Sequence, residues 1–193
     1  MIQVPRKPRL IGLYSSRPQC GKSTVAGILA RHYGYTVHPF VGPLKKLTVS
    51  FLMQFGYTRE MAKNFVYQDK EHRIEGVPGH PTARHLMQTL GTEWGRDLVH
   101  RDVWLDMWQS SMPLGPVVVD DMRFPNEAQT IKDLGGERWL VSRLPSSQAS
   151  LVAAFRHPSE GALNDLEFDR VIVNDGSMLD LADTVAAALE AGS

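Results

Sequence analysis

The chain has 193 residues, 42% of them hydrophobic, and its 21 lysines and arginines balance 21 aspartates and glutamates. This length and composition allow one substantial buried core, and we expect a single α/β domain over residues 1–193. The neutral net charge argues against a dedicated duplex-DNA binder. No segment approaches the ~20 apolar residues that span a bilayer, and one cysteine cannot form an internal disulfide, so we expect a cytoplasmic protein.

Apolar runs typical of buried strands alternate with helical patterns along the chain. The strand-like runs lie at 10–14, 35–40, 116–120, 137–142 and 170–173, and the helical patterns lie at 22–33, 43–55, 58–67, 82–96, 124–134 and 177–191. This alternation predicts a parallel sheet covered by helices, with ligands at the carboxyl ends of the strands. The interval from about 43 to 112 contains no convincing strand, which predicts a helical insertion suited to a second substrate.

The stretch RPQCGKST, residues 17–24, contains the second half of a phosphate-binding loop. Gly21, Lys22 and Ser23 match the end of the pattern GxxxxGK[ST], with Ser16 in the place of the first glycine, and Thr24 follows as a further loop residue. The strand before it and the helix after it favour a nucleotide site over an ordinary turn, since amides near Cys20 would surround a polyphosphate. Lys22 would contact the β- and γ-phosphates and Ser23 would bind Mg²⁺. A positive φ at Ser16 would cost on the order of 1 kcal/mol.

The stretch GPVVVDDMRFPNEA, residues 115–128, predicts a buried strand that ends in a carboxylate. An acid at this place holds Mg²⁺ opposite a phosphate loop. Asp120 and Asp121 both qualify, and strand alternation alone does not choose between them. Arg123 would bind a phosphate or stabilise transferred charge; the alternative is a salt bridge to Asp120 or Glu127.

The stretch PTARHLMQTLGTEWGRDL, residues 81–98, predicts a helix capped by Thr82. Its apolar positions Leu86, Leu90 and Trp94 are expected in the core. Its polar positions offer two cations and several hydrogen-bonding groups, which would bind a phosphate and a base or else form a solvated helix face: Arg84, Gln88, Thr92, Glu93 and Arg96.

Together these stretches, with FVGPLKK, DKEHR, RHPSE and FDRVIVNDGS, resemble the bacteriophage-type deoxynucleoside monophosphate kinases. The motifs follow the order of that family from about residue 10 to 190, and its patterns LQxLGTExGR and DxRFxNE are the distinctive ones. The resemblance implies a P-loop kinase fold and transfer of the γ-phosphoryl group of ATP, with Mg²⁺, to the 5′-phosphate of a deoxynucleotide.

The resemblance also assigns roles to residues of this chain. Lys22, Asp121 and Arg123 would be catalytic, with Ser23 and Asp121 on the metal. The acceptor monophosphate would contact Lys45, Lys70, Arg84, Gln88, Glu93 and Arg96. ATP would further contact Asn174 and Gly176 near the adenine and Arg143 in a short lid over about 143–157, which includes Arg156 and His157.

Two other functions stay open at this point. A related P-loop kinase would phosphorylate a hydroxymethylated base within DNA, with Asp120 or Asp121 as the general base. A nucleotide-binding module without catalysis is the third possibility, against which the presence of Lys22, Ser23, Asp121 and Arg123 argues. A homodimer is a family-level expectation.

Overall fold

The computed structural model describes residues 8–143 and 166–191. Its five strands form one sheet with the order β2-β3-β1-β4-β5, and every neighbouring pair is parallel. The strands are β1 (Leu10–Tyr14), β2 (Thr36–Val37), β3 (Val117–Val119), β4 (Glu137–Ser142) and β5 (Arg170–Val173). Helices pack against this sheet. The predicted α/β class and the five-stranded parallel sheet of a P-loop kinase fold are confirmed.

The helices follow the predicted positions, with one addition. They are α1 (Lys22–Tyr33), α2 (Gly42–Gln54), α3 (Arg59–Lys63), α4 (Ala83–Gln88), α5 (Val103–Ser110), α6 (Pro125–Asp133) and α7 (Met178–Glu190). Two π-helical stretches, Asn64–Gln68 and Thr89–Val99, continue α3 and α4 directly. The sequence pattern predicts no separate helix for the residues of α5. None of the helices in the described ranges has the length and apolarity required to cross a bilayer.

The chain divides into two compact units. The first unit, Met1–Pro39 with Pro113–Ser193, contains the sheet. Its core consists of side chains from the strands, α1 and α7, with Ile11, Trp139 and Ile172 fully buried. The second unit, Phe40–Met112, is helical and has a separate cluster of buried side chains around Leu52, Val66 and Ile74.

The register of the sheet determines where the loops of the first unit emerge. Leu10 pairs with Val117 and Gly12 with Val119, so β1 and β3 end at the same edge of the sheet. A side chain at Gly12 would meet Ile131 of α6 at 3.0 Å, which explains a glycine in the middle of a buried strand. The loop after β1 and the acids after β3 therefore meet at the carboxyl edge.

Candidate active site

The turn from β1 into α1 forms the phosphate loop, and its backbone strain does not fall on Ser16. Among the described residues, the non-glycine residues with positive φ are Gln19, at 61°, and His80, at 48°. Gly21, at 103°, is the other left-handed position of the loop. Ser16 therefore carries none of the strain considered from the sequence, and a cost on the order of 1 kcal/mol belongs to Gln19 instead.

One of the two aspartates after β3 contacts the phosphate loop directly. The Ser23 hydroxyl donates to Asp120 Oδ2 at 3.5 Å. Asp121, the acid chosen from the resemblance, adjoins this pair and influences the charge of Lys22. The structure thus places Asp120 directly against the serine that was predicted to bind Mg²⁺. No geometric signal in the sequence distinguished these two neighbours, since both follow the last buried valine.

The ammonium group of Lys22 experiences several charges from the same edge of the sheet. Burial, followed by the positive charge of Arg123, lowers the pKa of Lys22 below the ordinary value for lysine. Cys20, Asp120 and Asp121 act in the opposite direction. Two cations and two carboxylates therefore meet at the phosphate loop, an arrangement suited to a polyanion and a metal ion.

The side chain of Arg123 is exposed, and its main-chain N–H group donates a hydrogen bond to a buried carboxylate. The buried Glu127 carboxylate, 6% exposed, accepts hydrogen bonds from the main-chain N–H groups of Arg123 at 2.6 Å and Phe124 at 3.0 Å. Across residues 8–143 and 166–191, the structure shows no salt bridge from the Arg123 guanidinium to Asp120 or Glu127. Glu127 therefore stabilises the start of α6, and Arg123 is exposed beside Lys22.

The oxygen atoms at this edge fit magnesium. Ser23 Oγ and Asp120 Oδ2 are hard donors, and Mg²⁺ is commonly bound by one or two such groups together with waters and substrate phosphates. Within the described part of the chain, no cluster of three or more His, Cys, Asp or Glu side chains is arranged to hold a metal ion alone.

The residues predicted to bind the acceptor lie in the second unit. Lys45 Nζ lies 4.8 Å from the centroid of the Tyr67 ring. Arg84 forms an ion pair with Glu71 through its guanidinium, and its main-chain N–H donates to the carbonyl of Lys70 at 3.0 Å. The side chains of Gln88 and Glu93 are exposed, and Arg96 is partly buried. Arg84 is therefore engaged with a carboxylate rather than presented as an unpaired cation.

The prediction that Trp94 belongs to the core is wrong. Its side chain is 46% exposed, although Leu86 packs against the core of the second unit. From Thr89 the helix continues as a π-helix, whose hydrogen bonds join residues five apart instead of four, so Trp94 does not stay on the face of Leu86.

The glycines of LGTEWGR serve packing, a role that the sequence analysis missed. A side chain at Gly95 would collide with the indole of Trp104, and one at Gly91 would lie 2.9 Å from Leu44 Cδ2. The Trp104 indole N–H donates to the Gly91 carbonyl at 2.8 Å. An isolated glycine inside a helical pattern is the signal that indicates such close approach.

The predicted adenine and lid residues are only partly described. Asn174 donates from its side-chain amide to the Cys20 carbonyl at 2.9 Å, so it contacts the phosphate loop itself. Gly176 lies where a side chain would meet Asp180, whose carboxylate accepts from Ser177 and whose pKa is lowered by that side-chain hydrogen bond. Arg143 is exposed after β4. Arg156, His157 and the rest of the predicted lid lie outside the described residues.

A family model and two known proteins resemble this chain. A family model described as deoxynucleotide monophosphate kinase matches residues 58–185. A putative deoxynucleotide monophosphate kinase of Acanthamoeba polyphaga mimivirus is 27% identical over 203 aligned residues, which cover 95% of this chain and 97% of that protein. The deoxynucleoside-5'-monophosphate kinase of Escherichia phage T5 is 32% identical over 99 residues, covering 48% of this chain and 39% of that protein. The family match includes Asp120 to Arg123 and begins after the phosphate loop, which the sequence motif identifies independently.

Proposed function

Because the chain belongs to the deoxynucleotide monophosphate kinase family, a family of phosphotransferases, we propose that it transfers the γ-phosphoryl group of ATP to the 5′-phosphate of a deoxynucleoside monophosphate. Mg²⁺ is the proposed metal, and the products are ADP and a deoxynucleoside diphosphate. The observation that carries the proposal is the contact of Ser23 in the phosphate loop with Asp120 after β3, beside Lys22, whose charge Arg123 and Asp121 also influence.

The first unit supplies the donor site in this proposal. Main-chain N–H groups at the start of α1 would bind the β- and γ-phosphates, since a helix N-terminus favours anions. Lys22 would add a positive charge to the same phosphates, and Arg123 would stabilise the charge on the transferred group. Thr24 and the Cys20 main chain complete the loop.

Ser23 and Asp120 would hold Mg²⁺ together with phosphate oxygens, which supports Asp120 as the metal-side acid in preference to Asp121. When bound, the metal supplies positive charge that offsets the charge of the triphosphate. Asp121 remains in the proposal as the neighbouring carboxylate that favours the charged form of Lys22.

The chemistry requires positioning more than proton transfer. An oxygen of the acceptor phosphate is already anionic, so it can form the new bond to the γ-phosphorus without a general base. The bond to the β,γ-bridging oxygen breaks, and ADP leaves with that oxygen. Transfer therefore requires that the two polyanions lie in line and that their mutual repulsion is reduced.

The second unit supplies the proposed contacts to the monophosphate. These are Lys45, Lys70, Arg84, Gln88, Glu93 and Arg96. The ion pair of Arg84 with Glu71 is exposed on both sides, so an incoming phosphate can compete with that carboxylate at little cost. Exposed amide and carboxyl groups at Gln88 and Glu93 have the hydrogen-bonding chemistry needed for a base or sugar.

The test is a coupled ADP-release assay with ATP, Mg²⁺ and each deoxynucleoside monophosphate in turn. We expect turnover that depends on one or more monophosphates and falls at least ~100-fold in Lys22→Met, because the variant loses a phosphate-binding charge. Lys132→Met on the exposed surface of α6 is the matched control and should retain wild-type turnover.

Separate arms of the assay address the other functions. Transfer of labelled phosphate to a hydroxymethylated DNA duplex, with no turnover on any monophosphate, would replace this acceptor by a base in DNA. ATP binding without transfer to either acceptor would leave only a nucleotide-binding module. Unchanged turnover in Lys22→Met would show that the phosphate loop is not the donor site.

A further inference from the structure

Asn174 connects three segments of the first unit at the carboxyl edge of the sheet. It follows β5, and its main-chain N–H donates to the Ser142 carbonyl at the end of β4, at 2.8 Å. Its side-chain Nδ2 donates to the Cys20 carbonyl at 2.9 Å, across 154 positions of the sequence. The side chain is therefore anchored on the sheet and holds one peptide group of the phosphate loop.

The loop is shaped to receive this side chain. Gly21 has φ 103°, and a Cβ at that position would collide with Asn174 Nδ2. Absence of a side chain at Gly21 thus permits both the left-handed backbone and the close approach of the amide. The Gly21 carbonyl then accepts from Val25 N at 2.9 Å and starts α1.

The hydrogen bond to Cys20 fixes the orientation of the whole Cys20–Gly21 peptide group. A trans peptide is planar, so its C=O and N–H point in opposite directions. Holding the carbonyl of Cys20 toward Asn174 therefore turns the N–H of Gly21 away from Asn174. That N–H lies immediately before α1, where main-chain donors are expected to meet phosphate.

We propose that Asn174 is a positioning residue that sets the phosphate loop in its anion-binding conformation, and that it acts on the triphosphate rather than on the adenine ring. The inference rests on the proposed function only in taking this loop as the triphosphate site. It replaces the adenine contact implied by the resemblance, because the amide nitrogen of Asn174 is already directed at the loop.

The experiment compares two probes, Mg-ATP and inorganic tripolyphosphate with Mg²⁺, by titration calorimetry of the full chain. In Asn174→Ala we expect affinity for both probes to fall by the same factor, about tenfold, since one hydrogen bond to the loop is lost. Asn174→Asp, which keeps the shape but places a carboxylate against a carbonyl oxygen, should weaken both probes further. Asn64→Ala removes the same atoms from an exposed site on the second unit and should change neither affinity.

The stoichiometry and the ratio of the two affinities separate the outcomes. A role in folding alone would reduce the number of binding sites and leave the affinity of the remaining sites unchanged. If Asn174 contacted adenine, Asn174→Ala would lower the affinity for Mg-ATP and leave the affinity for tripolyphosphate unchanged. Either result overturns the proposal.

The same titration distinguishes failure of this inference from failure of the proposed function. Wild-type protein that binds tripolyphosphate but phosphorylates no monophosphate leaves the role of Asn174 intact and rejects only the acceptor. Wild-type protein that binds no tripolyphosphate rejects the loop as a triphosphate site, and with it the role of Asn174.

Discussion

At the scale of single residues, Lys22 is the group whose chemistry depends most on its surroundings. Burial and the charge of Arg123 lower the pKa of Lys22 in the ligand-free protein. A triphosphate beside the ammonium group would raise that pKa again, because an opposite charge favours the charged form. Binding of a triphosphate and protonation of Lys22 are therefore linked.

We predict that triphosphate binding takes up protons at alkaline pH. The lowered pKa means that Lys22 loses its proton at a lower pH in the free protein than in the complex. Affinity should be constant at lower pH and decline as the pH rises through the free-protein pKa. Calorimetry in two buffers of different ionisation enthalpy measures the uptake.

Lys22→Arg is the comparison for this prediction, since a guanidinium stays protonated over the whole range. Any residual binding by Lys22→Arg should lack the alkaline proton uptake. Equal uptake in wild type and Lys22→Arg would assign the effect to another group.

At the scale of elements, the helix that follows Thr82 shows where the helical spacing of apolar residues no longer predicts which side chains are buried. Leu86 follows the predicted stripe, but Trp94 does not, because α4 continues as the π-helical stretch Thr89–Val99. The close contacts of Gly91 with Leu44 and of Gly95 with Trp104 accompany this change. Packing against other side chains, rather than local propensity, determines the geometry of this segment.

The start of α6 offers an element-scale prediction. Glu127 satisfies two main-chain N–H groups from a buried position, so Glu127→Ala should lower the free energy of unfolding by about 1–3 kcal/mol. Glu127→Gln retains an acceptor oxygen, so its free energy of unfolding should fall by less than that of Glu127→Ala. Denaturant unfolding measures both.

Gln129→Ala is the matched control on the same helix. Its side chain is exposed and, within the described residues, hydrogen-bonds only to Asp133 at 2.7 Å, so we expect a change within about 0.5 kcal/mol. A loss in Glu127→Ala no larger than in this control would contradict the capping role of Glu127.

At the scale of the whole molecule, buried side chains form a core within each of the two units.

Leu52 is fully buried in the core of the second unit, so Leu52→Ala should destabilise that unit by about 2–5 kcal/mol. Hydrogen exchange should report the largest loss of protection in the amides of α2 and α3. Met53→Ala on the exposed side of α2 is the control. Preserved protection in Leu52→Ala would place the stability of the second unit elsewhere.

The sequence by itself determined the five strands, the phosphate loop and the start of α6. These depend on short-range properties: an apolar run, a glycine before a lysine, and a helical pattern of apolar residues. It also determined the fold class, since alternating strands and helices leave few topologies apart from a parallel sheet. Chain segments that were assigned in this way needed little information from distant residues.

Only the tertiary structure decided the choice of Asp120 opposite Ser23, the left-handed backbone at Gln19, and the contact of Asn174 with Cys20. Ser23 and Asp120 are separated by 97 positions of the sequence, and Cys20 and Asn174 by 154. The geometry of both pairs depends on the strand order β2-β3-β1-β4-β5. Neighbouring acids such as Asp120 and Asp121 have the same local pattern, and the contact of Asp120 with Ser23 forms only once β1 and β3 pair in register. A hydrogen bond across the sheet edge has no local signal because its partners become neighbours only on folding.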